Sequence, residues 1–484
     1  MPKRVVHVAS PAWSANGDAL RAGIAKVQQE LGVAPDFPAG VRAAAESAAA
    51  SPRLPDLDRT DIGFVTIDPE GAMDLDQALH FERNGDGYRV HYAIADVAAF
   101  VTPDDPIDVE ANRRGETLYG ADTKIPLHPP VLSEGAASLL PDQVRPALLW
   151  TIELDSAGEG THVHVERARV RSRAKLTYTG VQRQFDDGTV DDMLALLRTI
   201  GELRMRREIA RGGVSLPLPA QEIDCGPQGN WSLEYRKPND VELWNAQISL
   251  LTGMGAASLM TAAKVGILRT LPPAQQYDLD RLRRTARALH VPWPQGMSYP
   301  DFIRSLDPDA PTSAAVLVAA TRTLRGAAYA AFDGAVPEQP RHSALAGEYA
   351  HVTAPLRRLI DRYAGEICLA ICADQPVPEW VLAKFETLPG TMRDSDRKAG
   401  QYENALVDLL EAAVLAEHVG EEFDGVVVSV DEKHPEQGTV MVEQPAVEAK
   451  LWGTQPLPLG EEVRVRLADA DVRAATVRFE VVPA

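Results

Sequence analysis

Cysteine is scarce in this sequence, with only three in 484 residues: Cys225, Cys368 and Cys372. Three cysteines make a poor disulfide framework, and no further Cys or His pair completes a zinc pattern. We therefore expect reduced core residues in a cytoplasmic protein. No apolar run approaches the roughly 18 residues of a membrane-spanning helix, and we expect neither a signal peptide nor membrane association.

Positive charge is also in short supply. The chain has 49 Lys and Arg against 69 Asp and Glu, a formal net charge of −20. This balance argues against broad, sequence-independent binding of duplex nucleic acid, which needs an extended cationic surface. An enzyme of this charge that acts on nucleic acid must concentrate its basic residues locally. Hydrophobic residues make up 45% of the chain, which is ample for a core, and the length allows two to four domains.

The stretch Phe64–Phe81, FVTIDPEGAMDLDQALHF, contains three closely spaced aspartates. Its apolar, β-branched start predicts a strand that ends at Asp68, where a proline and a glycine break the ladder. Asp74 and Asp76 follow two residues apart, on one face of an extended segment. A second strand is predicted directly after Gln77. Three carboxylates are thus expected to converge at one corner between two strands.

Carboxylates this close repel one another, and buried ones need a cation or must stay protonated. Hard oxygen ligands suit Mg²⁺ or Mn²⁺. Two such ions roughly 3.5–4 Å apart activate a water and stabilise the leaving oxygen in phosphodiester cleavage. The same pattern also fits an acidic surface loop with N-cap aspartates. The motif alone leaves both interpretations open.

This motif resembles the signature of the RNB catalytic domain of the RNase II/RNase R exoribonucleases. Further segments resemble the same family in the same order, from about residue 60 to the C-terminus. These segments are His91–Val101 (HYAIADVAAFV), Asp108–Pro130, Ser138–Leu149 (SLLPDQVRPALL), Arg171–Tyr178 (RSRAKLTY) and Tyr349–Arg358 (YAHVTAPLRR).

The resemblance implies a metal site. Asp68, Asp74 and Asp76 match three of the family's four metal-site aspartates, and Asp76 matches the one whose loss the family tolerates least. Gln77 stands where the fourth is normally Asp. Its amide oxygen can still ligate a metal, but the missing negative charge should weaken binding of a divalent ion. The implied cofactor is Mg²⁺, with Mn²⁺ as an alternative.

The resemblance also assigns RNA-contacting residues. Arg357 matches the arginine that contacts the scissile phosphate, and Arg358 is expected to pair with phosphate or with a carboxylate. Two arginines at a helix start favour a nearby anion. Tyr119 matches the tyrosine that stacks on the terminal base, and Glu403 corresponds by position to a glutamate that holds the nucleotide end. Three more basic residues are expected at the channel mouth: Arg113, Arg114 and Lys124.

The predicted fold class is α+β with several domains. Residues 1–56 contain two predicted helices, Asp18–Leu31 and Pro38–Ala50, as a small helix-turn-helix-like domain with either a nucleic-acid or a docking role. Residues 57–420 form the mixed α/β RNB catalytic domain. Residues 421–484 carry five short alternating strands, which fit an OB-fold barrel of the S-one RNA-binding type.

Local signals predict several elements of the catalytic domain. Asn84-Gly-Asp-Gly predicts a hairpin turn. Asp191–Arg211 and Val241–Val265 are predicted long helices, and residues 277–335 are predicted to be helical with proline breaks.

The resemblance implies a hydrolytic, sequence-independent 3′-to-5′ exoribonuclease that degrades single-stranded RNA to nucleoside 5′-monophosphates. We expect a monomer with no stable protein partner. The alternative is an RNA-binding protein with a weakened or inactive RNB nuclease site, motivated by Gln77 and the acidic C-terminal barrel. A third hypothesis treats the Asp-Leu-Asp motif as the metal site of a glycosyltransferase, which nothing after residue 100 supports.

Overall fold

The computed structural model describes residues 17–120, 124–218, 220–225, 231–307 and 310–483. No helix in these ranges is long and apolar enough to cross a membrane. The helices are α1 Gly17–Glu30, α2 Ala39–Ala50, α3 Pro106–Arg114, α4 Tyr178–Asp186, α5 Asp192–Arg211, α6 Asp240–Ala263, α7 Gln276–Ala288, α8 Tyr299–Arg304, α9 Pro311–Ala320, α10 Leu359–Cys372, α11 Glu379–Leu382 and α12 Leu388–Leu415. The strands are β1 Phe64–Asp68, β2 Gln77–Asn84, β3 Gly87–Ala95, β4 Leu118–Tyr119, β5 Lys124–Ile125, β6 Val144–Leu154, β7 Gly160–Thr177, β8 Ala220–Cys225, β9 Trp231–Arg236, β10 Val265–Thr270, β11 Ala328–Asp333, β12 Arg341–His342, β13 Gly347–Glu348, β14 Glu422–Val430, β15 Gln437–Val442, β16 Val447–Trp452, β17 Glu462–Asp471 and β18 Thr476–Val481.

A closed barrel of β1, β2, β3, β6 and β7 forms the centre of the chain. The predicted hairpin joins β2 to β3, with Asn84 opposite Gly87 across the turn. The parallel pairing of β1 with β7 closes the barrel. Alternate residues of the strands pack against α5, α6 and α10, and Tyr92 and Trp150 are fully buried in this core.

The long helices begin and end where their local chemistry predicts. Asp191 caps α5 by accepting from the Leu194 N–H, and Gly212 ends it in the left-handed conformation. Asn239 and Glu242 form a capping box at the start of α6. Helix α6 ends at Ala263, two residues before the predicted end, because Lys264 adopts a left-handed conformation and starts the turn into β10.

A second closed barrel forms from β14, β15, β16, β18 and β17, in that spatial order. It confirms the five strands that the alternating sequence predicts. Its core includes Phe479 and Leu451, and α12 packs against the same hydrophobic cluster. Together, the two barrels and their helices confirm the predicted α+β multidomain class.

The two N-terminal helices are present as predicted and lie in different hydrophobic clusters. Leu20 and Ile24 of α1 pack with α12, and the Gln28 side chain donates to the Tyr402 hydroxyl at 3.1 Å. Ala45 of α2 is fully buried in the cluster that surrounds Phe64. Each helix is therefore packed onto the rest of the chain; the domain boundaries at residues 56 and 420 stay predictions.

The helical prediction for residues 277–335 is wrong at β11, which pairs with β10. Strands β10 and β11 pair antiparallel, with Val265 opposite Asp333 at one end and Thr270 opposite Ala328 at the other. Short apolar runs fit a buried helix and a buried strand equally well, and only the distant partner decides between them. Cys368 is buried and Cys372 half-buried, and both are free thiols, as predicted. The side chain of Cys225 lies outside the described residues.

Gly253 allows α6 to approach the segment that leads to Arg357. A Cβ at this position would lie 2.2 Å from Cε2 of Tyr349 and 2.6 Å from the Ala350 carbonyl oxygen. The Gly253 carbonyl accepts from the Ala350 N–H at 3.1 Å. A methyl group therefore cannot be inserted without moving backbone.

We expect Gly253→Ala to lower the free energy of unfolding by about 1–3 kcal/mol because it overpacks this contact. The matched control is Gly400→Ala in α12, where a Cβ would meet nothing within 4 Å. That change should stabilise by up to about 1 kcal/mol through helix propensity. Urea unfolding followed by circular dichroism measures both, and equal stability of the two variants would refute the packing role of Gly253.

Candidate active site

An ion pair between the buried Asp76 and the half-exposed Arg357 lies at the centre of the site. Asp76 is 2% exposed. Its Oδ2 accepts from Nε of Arg357 at 2.9 Å, and its Oδ1 accepts from the Leu356 N–H at 2.8 Å. Burial raises the pKa of the Asp76 carboxyl to about 7, an effect that Arg357 opposes and the Asp74 carboxylate reinforces. The pair joins the β1–β2 corner to the turn before α10.

The turn that carries Arg357 is held by Asp361, in the first turn of α10. Asp361 accepts from the Ala354 N–H at 2.7 Å and from two nitrogens of Arg358 at 2.9 Å each. Its side chain is buried. One carboxylate thus clamps both ends of the turn. The spacing of Arg358 and Asp361 on the helix was the available sequence signal for this contact.

Tyr119 lies directly beside Arg357. The segment before β4 pairs with the turn, because Thr117 N–H donates to the Arg357 carbonyl at 2.9 Å and Leu359 N–H donates to the Gly115 carbonyl at 2.9 Å. The Arg357 guanidinium lies near the Tyr119 hydroxyl, where its charge lowers the pKa of that hydroxyl against the effect of burial. The ring of Tyr119 is mostly buried, and burial raises the pKa of its hydroxyl. The predicted base-stacking residue and the predicted phosphate-contacting arginine are therefore neighbours.

Asp68 and Asp74 complete the acidic cluster. Asp68 ends β1, and its Oδ2 is buried with no hydrogen-bond partner. Burial raises the pKa of the Asp68 carboxyl to about 6, and the Asp74 charge adds to the shift. Asp74 accepts from Nζ of Lys124 at 2.7 Å, and the same ammonium contacts Glu134 at 2.8 Å. Sequence reasoning missed Glu134, which lies ten residues from Lys124 with no motif to mark it.

Gln77 begins β2, and the protein engages both ends of its amide. Its Nε2 donates to the Thr353 carbonyl at 2.7 Å, and its Oε1 accepts from the Tyr92 hydroxyl at 2.6 Å. The Tyr92 hydroxyl also contacts Oγ of Ser249 at 2.9 Å. Gln77 therefore links the barrel to the segment before Arg357.

Glu403 lies on α12 beside a second group of acidic side chains. Burial raises the pKa of the Glu116 carboxyl to about 7, and the charges of Asp396 and Glu403 contribute. Glu116 accepts from the Ser395 hydroxyl at 2.9 Å and its backbone pairs with Arg358. Glu403 thus lies within electrostatic reach of Glu116, whose backbone pairs with Arg358.

The three basic residues predicted at the channel mouth have different environments. Lys124 lies at the acidic cluster, as described above. The prediction is wrong for Arg114, because its side chain is only 7% exposed and pairs with Glu110. Its guanidinium carbon lies 3.8 Å from the ring centroid of Phe37. Arg113 is half-exposed and also pairs with Glu110.

The donor set fits a metal ion only in part. Among the described ranges, no group of three or more His, Cys, Asp or Glu side chains is arranged to hold one. The oxygens of Asp76 and Oδ1 of Asp74 are already engaged by Arg357, a backbone N–H and Lys124. The orphaned, buried Oδ2 of Asp68 is the oxygen that fits a divalent cation.

Comparisons with known proteins identify two regions of the chain. The family described as "RNB domain" matches residues 57–371, and "RNase II-type exonuclease C-terminal S1 domain" matches residues 421–482. Ribonuclease R of Escherichia coli (strain K12) is 27% identical over 401 residues, which cover 77% of this chain and 48% of that protein. The chain thus spans about half the length of this curated relative.

Solved structures share the fold. RNase R of Mycoplasma genitalium, in complex with ribose-methylated single-stranded RNA, matches with a TM-score of 0.84 and 19% identity over 96% of this chain and 78% of that one. Yeast Ssd1, described as a pseudonuclease, matches with a TM-score of 0.70 and 15% identity over 92% of this chain and 57% of that one. Because the family match covers well over half of its residues, this chain belongs to the RNB-domain family.

Proposed function

We propose that this chain is a metal-dependent, hydrolytic 3′-to-5′ exoribonuclease that degrades single-stranded RNA to nucleoside 5′-monophosphates without sequence preference. Arg357 carries the proposal. Asp76 fixes its Nε, while 44% of its side chain stays exposed. A guanidinium held in this way offers its outer N–H groups to a phosphate whose charge rises in the transition state.

The relatives support RNA as the substrate class. Ribonuclease R of Escherichia coli is similar over 77% of the chain, and two M. genitalium RNase R structures are complexes with single-stranded and with double-stranded RNA. Arg357, Arg358 and Lys124 are each held by a carboxylate, which suits contacts to a few phosphates of one strand.

The residues have distinct proposed roles. Tyr119 stacks on the terminal base, since a flat ring accepts any base. Arg357 and Arg358 bind the phosphate region, and Glu403 holds the nucleotide end. Mg²⁺ or Mn²⁺ would be held by Asp68, Asp74 and Asp76, with Gln77 at the fourth family position. When bound, the ion supplies positive charge at the phosphate and lowers the pKa of a water.

The protein's own groups orient the arginine. Asp76 and the Leu356 N–H position Arg357 before substrate arrives, so little reorganisation is needed during reaction. The Tyr119 hydroxyl lies near this guanidinium, which brings the proposed base-binding and phosphate-binding residues together.

A gel of 5′-labelled single-stranded RNA with Mg²⁺, Mn²⁺ or EDTA tests the proposal. We expect stepwise shortening from the 3′ end to a short core with either metal, and none with EDTA. RNA that stays intact under all three conditions would refute the nuclease proposal.

We expect Asp76→Asn to slow hydrolysis at least about a hundredfold. The asparagine amide has one acceptor oxygen, so it can no longer accept from both the Leu356 N–H and Arg357, and it loses the charge that holds the guanidinium. Single-turnover rates measure the loss, and filter binding should show RNA affinity within a few-fold of the parent. The control is Asp374→Asn, an exposed aspartate in the left-handed conformation that Asn also accepts. A normal rate of hydrolysis in Asp76→Asn would show that Asp76 is not part of the active site.

Two substitutions of Tyr119 should separate its two contacts. Tyr119→Phe keeps the ring but removes the hydroxyl that Arg357 contacts, so we expect hydrolysis about 10–100-fold slower with unchanged RNA affinity. Tyr119→Ala should in addition weaken binding by about 1–3 kcal/mol through lost stacking. Equal affinity of the Phe and Ala variants would argue against a stacking role.

Gln77 favours a second candidate function, an RNA-binding protein with a weakened nuclease site. Its amide is neutral and is engaged by Thr353 and Tyr92. The structural likeness to Ssd1, described as a pseudonuclease, supports the same reading. On this reading the chain binds RNA and turns it over negligibly.

Gln77→Asp decides between the two functions. An aspartate cannot donate to the Thr353 carbonyl, so we expect the variant to lose about 1–3 kcal/mol of stability and to hydrolyse RNA no faster than the parent. Thermal unfolding and single-turnover rates measure the two effects. A clear gain in rate would favour the RNA-binding protein whose nuclease site lacks its fourth carboxylate.

A further inference from the structure

Lys124 bridges two carboxylates inside the candidate active site. Its Nζ lies 2.7 Å from Oδ1 of Asp74 and 2.8 Å from Oε1 of Glu134. The Lys124 and Asp74 side chains are largely buried, at 21% and 15% exposure. The ammonium thus occupies the position of a cation held between two acidic side chains.

The fold positions this pair of carboxylates independently of the lysine. The Ser138 hydroxyl donates to the Met73 carbonyl at 2.6 Å and accepts from the Leu75 N–H at 2.9 Å. The Leu139 N–H donates to the Leu75 carbonyl at 3.0 Å. These contacts hold the backbone on both sides of Asp74 against the segment that follows Glu134.

Lys124 is fixed in turn by its strand. It lies directly opposite Tyr119 in the β4–β5 pair. Tyr119 contacts Arg357, so the ammonium belongs to the same constellation as the proposed base-binding and phosphate-binding residues. A lysine tethered in this way is a built-in component of the site.

Gln77 and Lys124 alter the charge of the site in the same direction. Gln77 contributes no negative charge, and its amide already bonds Thr353 and Tyr92. Lys124 adds a positive charge next to Asp74. A site with two divalent ions needs enough carboxylate charge to hold both close together.

We propose that the Lys124 ammonium takes the place of a second divalent cation between Asp74 and Glu134, so that the site binds a single divalent ion tightly. This inference rests on the proposed function. The single ion is held on the side of Asp68, whose buried Oδ2 has no other partner. Lys124 then provides fixed positive charge near the phosphate without a metal.

Counting bound Mn²⁺ on the full chain tests the inference. Titration followed by electron paramagnetic resonance of free Mn²⁺ should give one tight ion for the parent chain and for Lys124→Arg, which keeps the charge. Lys124→Met, which has a similar length and no charge, should bind two. The double variant Lys124→Met with Glu134→Gln should return to one, because the second ion then loses a carboxylate.

The site of the first ion is tested separately. Asp68→Asn should weaken the tight ion of the parent chain at least tenfold while leaving the fold intact by circular dichroism. Two tight ions in the parent chain, or a folded Lys124→Met variant that still binds one, would overturn the inference.

Parallel RNA hydrolysis distinguishes failure of the inference from failure of the proposed function. Two tight ions in the parent chain together with Mn²⁺-dependent hydrolysis would refute the role of Lys124 but support the proposed nuclease activity. One tight ion without hydrolysis supports the ion count and refutes the nuclease. Absence of both a tight ion and hydrolysis refutes both.

Discussion

The bond between Asp76 and Arg357 joins side chains 281 residues apart, and much of the surrounding structure depends on it. A buried carboxylate is costly unless its partner and hydrogen bonds are fixed in good geometry. The Leu356 N–H and the Asp361 clamp provide that geometry on one side. Gly253 permits the close approach of α6 on the other. The site is therefore assembled by long-range packing, although its residues come from short motifs.

The strong acidity of the chain is compatible with an RNA-binding site because the cations at the site are fixed by carboxylates. Arg357 pairs with Asp76, Arg358 with Asp361 and Lys124 with Asp74. A cation fixed by a carboxylate acts on groups within a few ångströms. The net charge of −20 acts over longer distances, where salt screens it. If the proposed function holds, selection of an RNA strand would depend on this local geometry and not on a general attraction of polyanions.

Sequence patterns predicted those parts of the structure that neighbouring residues determine. The caps of α5 and α6, the hairpin from β2 to β3 and the five C-terminal strands follow from local spacing and turn chemistry. The site aspartates and Arg357 were predicted from the family resemblance, and the structure brings them together. The partners of Gln77 and Lys124 were not predictable, because an amide or an ammonium gives no sign in the sequence of which distant group it will contact. The β10–β11 pair was not predicted either, because its two strands are far apart in the sequence.

Gln77 and Lys124 are best understood together. The loss of one carboxylate at the fourth family position would, alone, leave a site for two divalent ions short of negative charge. An ammonium between Asp74 and Glu134 reduces the positive charge that metal ions must supply. Both residues make the site less negative, and the Lys124 ammonium supplies a fixed positive charge beside Asp74, while Gln77 has a structural role through Thr353 and Tyr92.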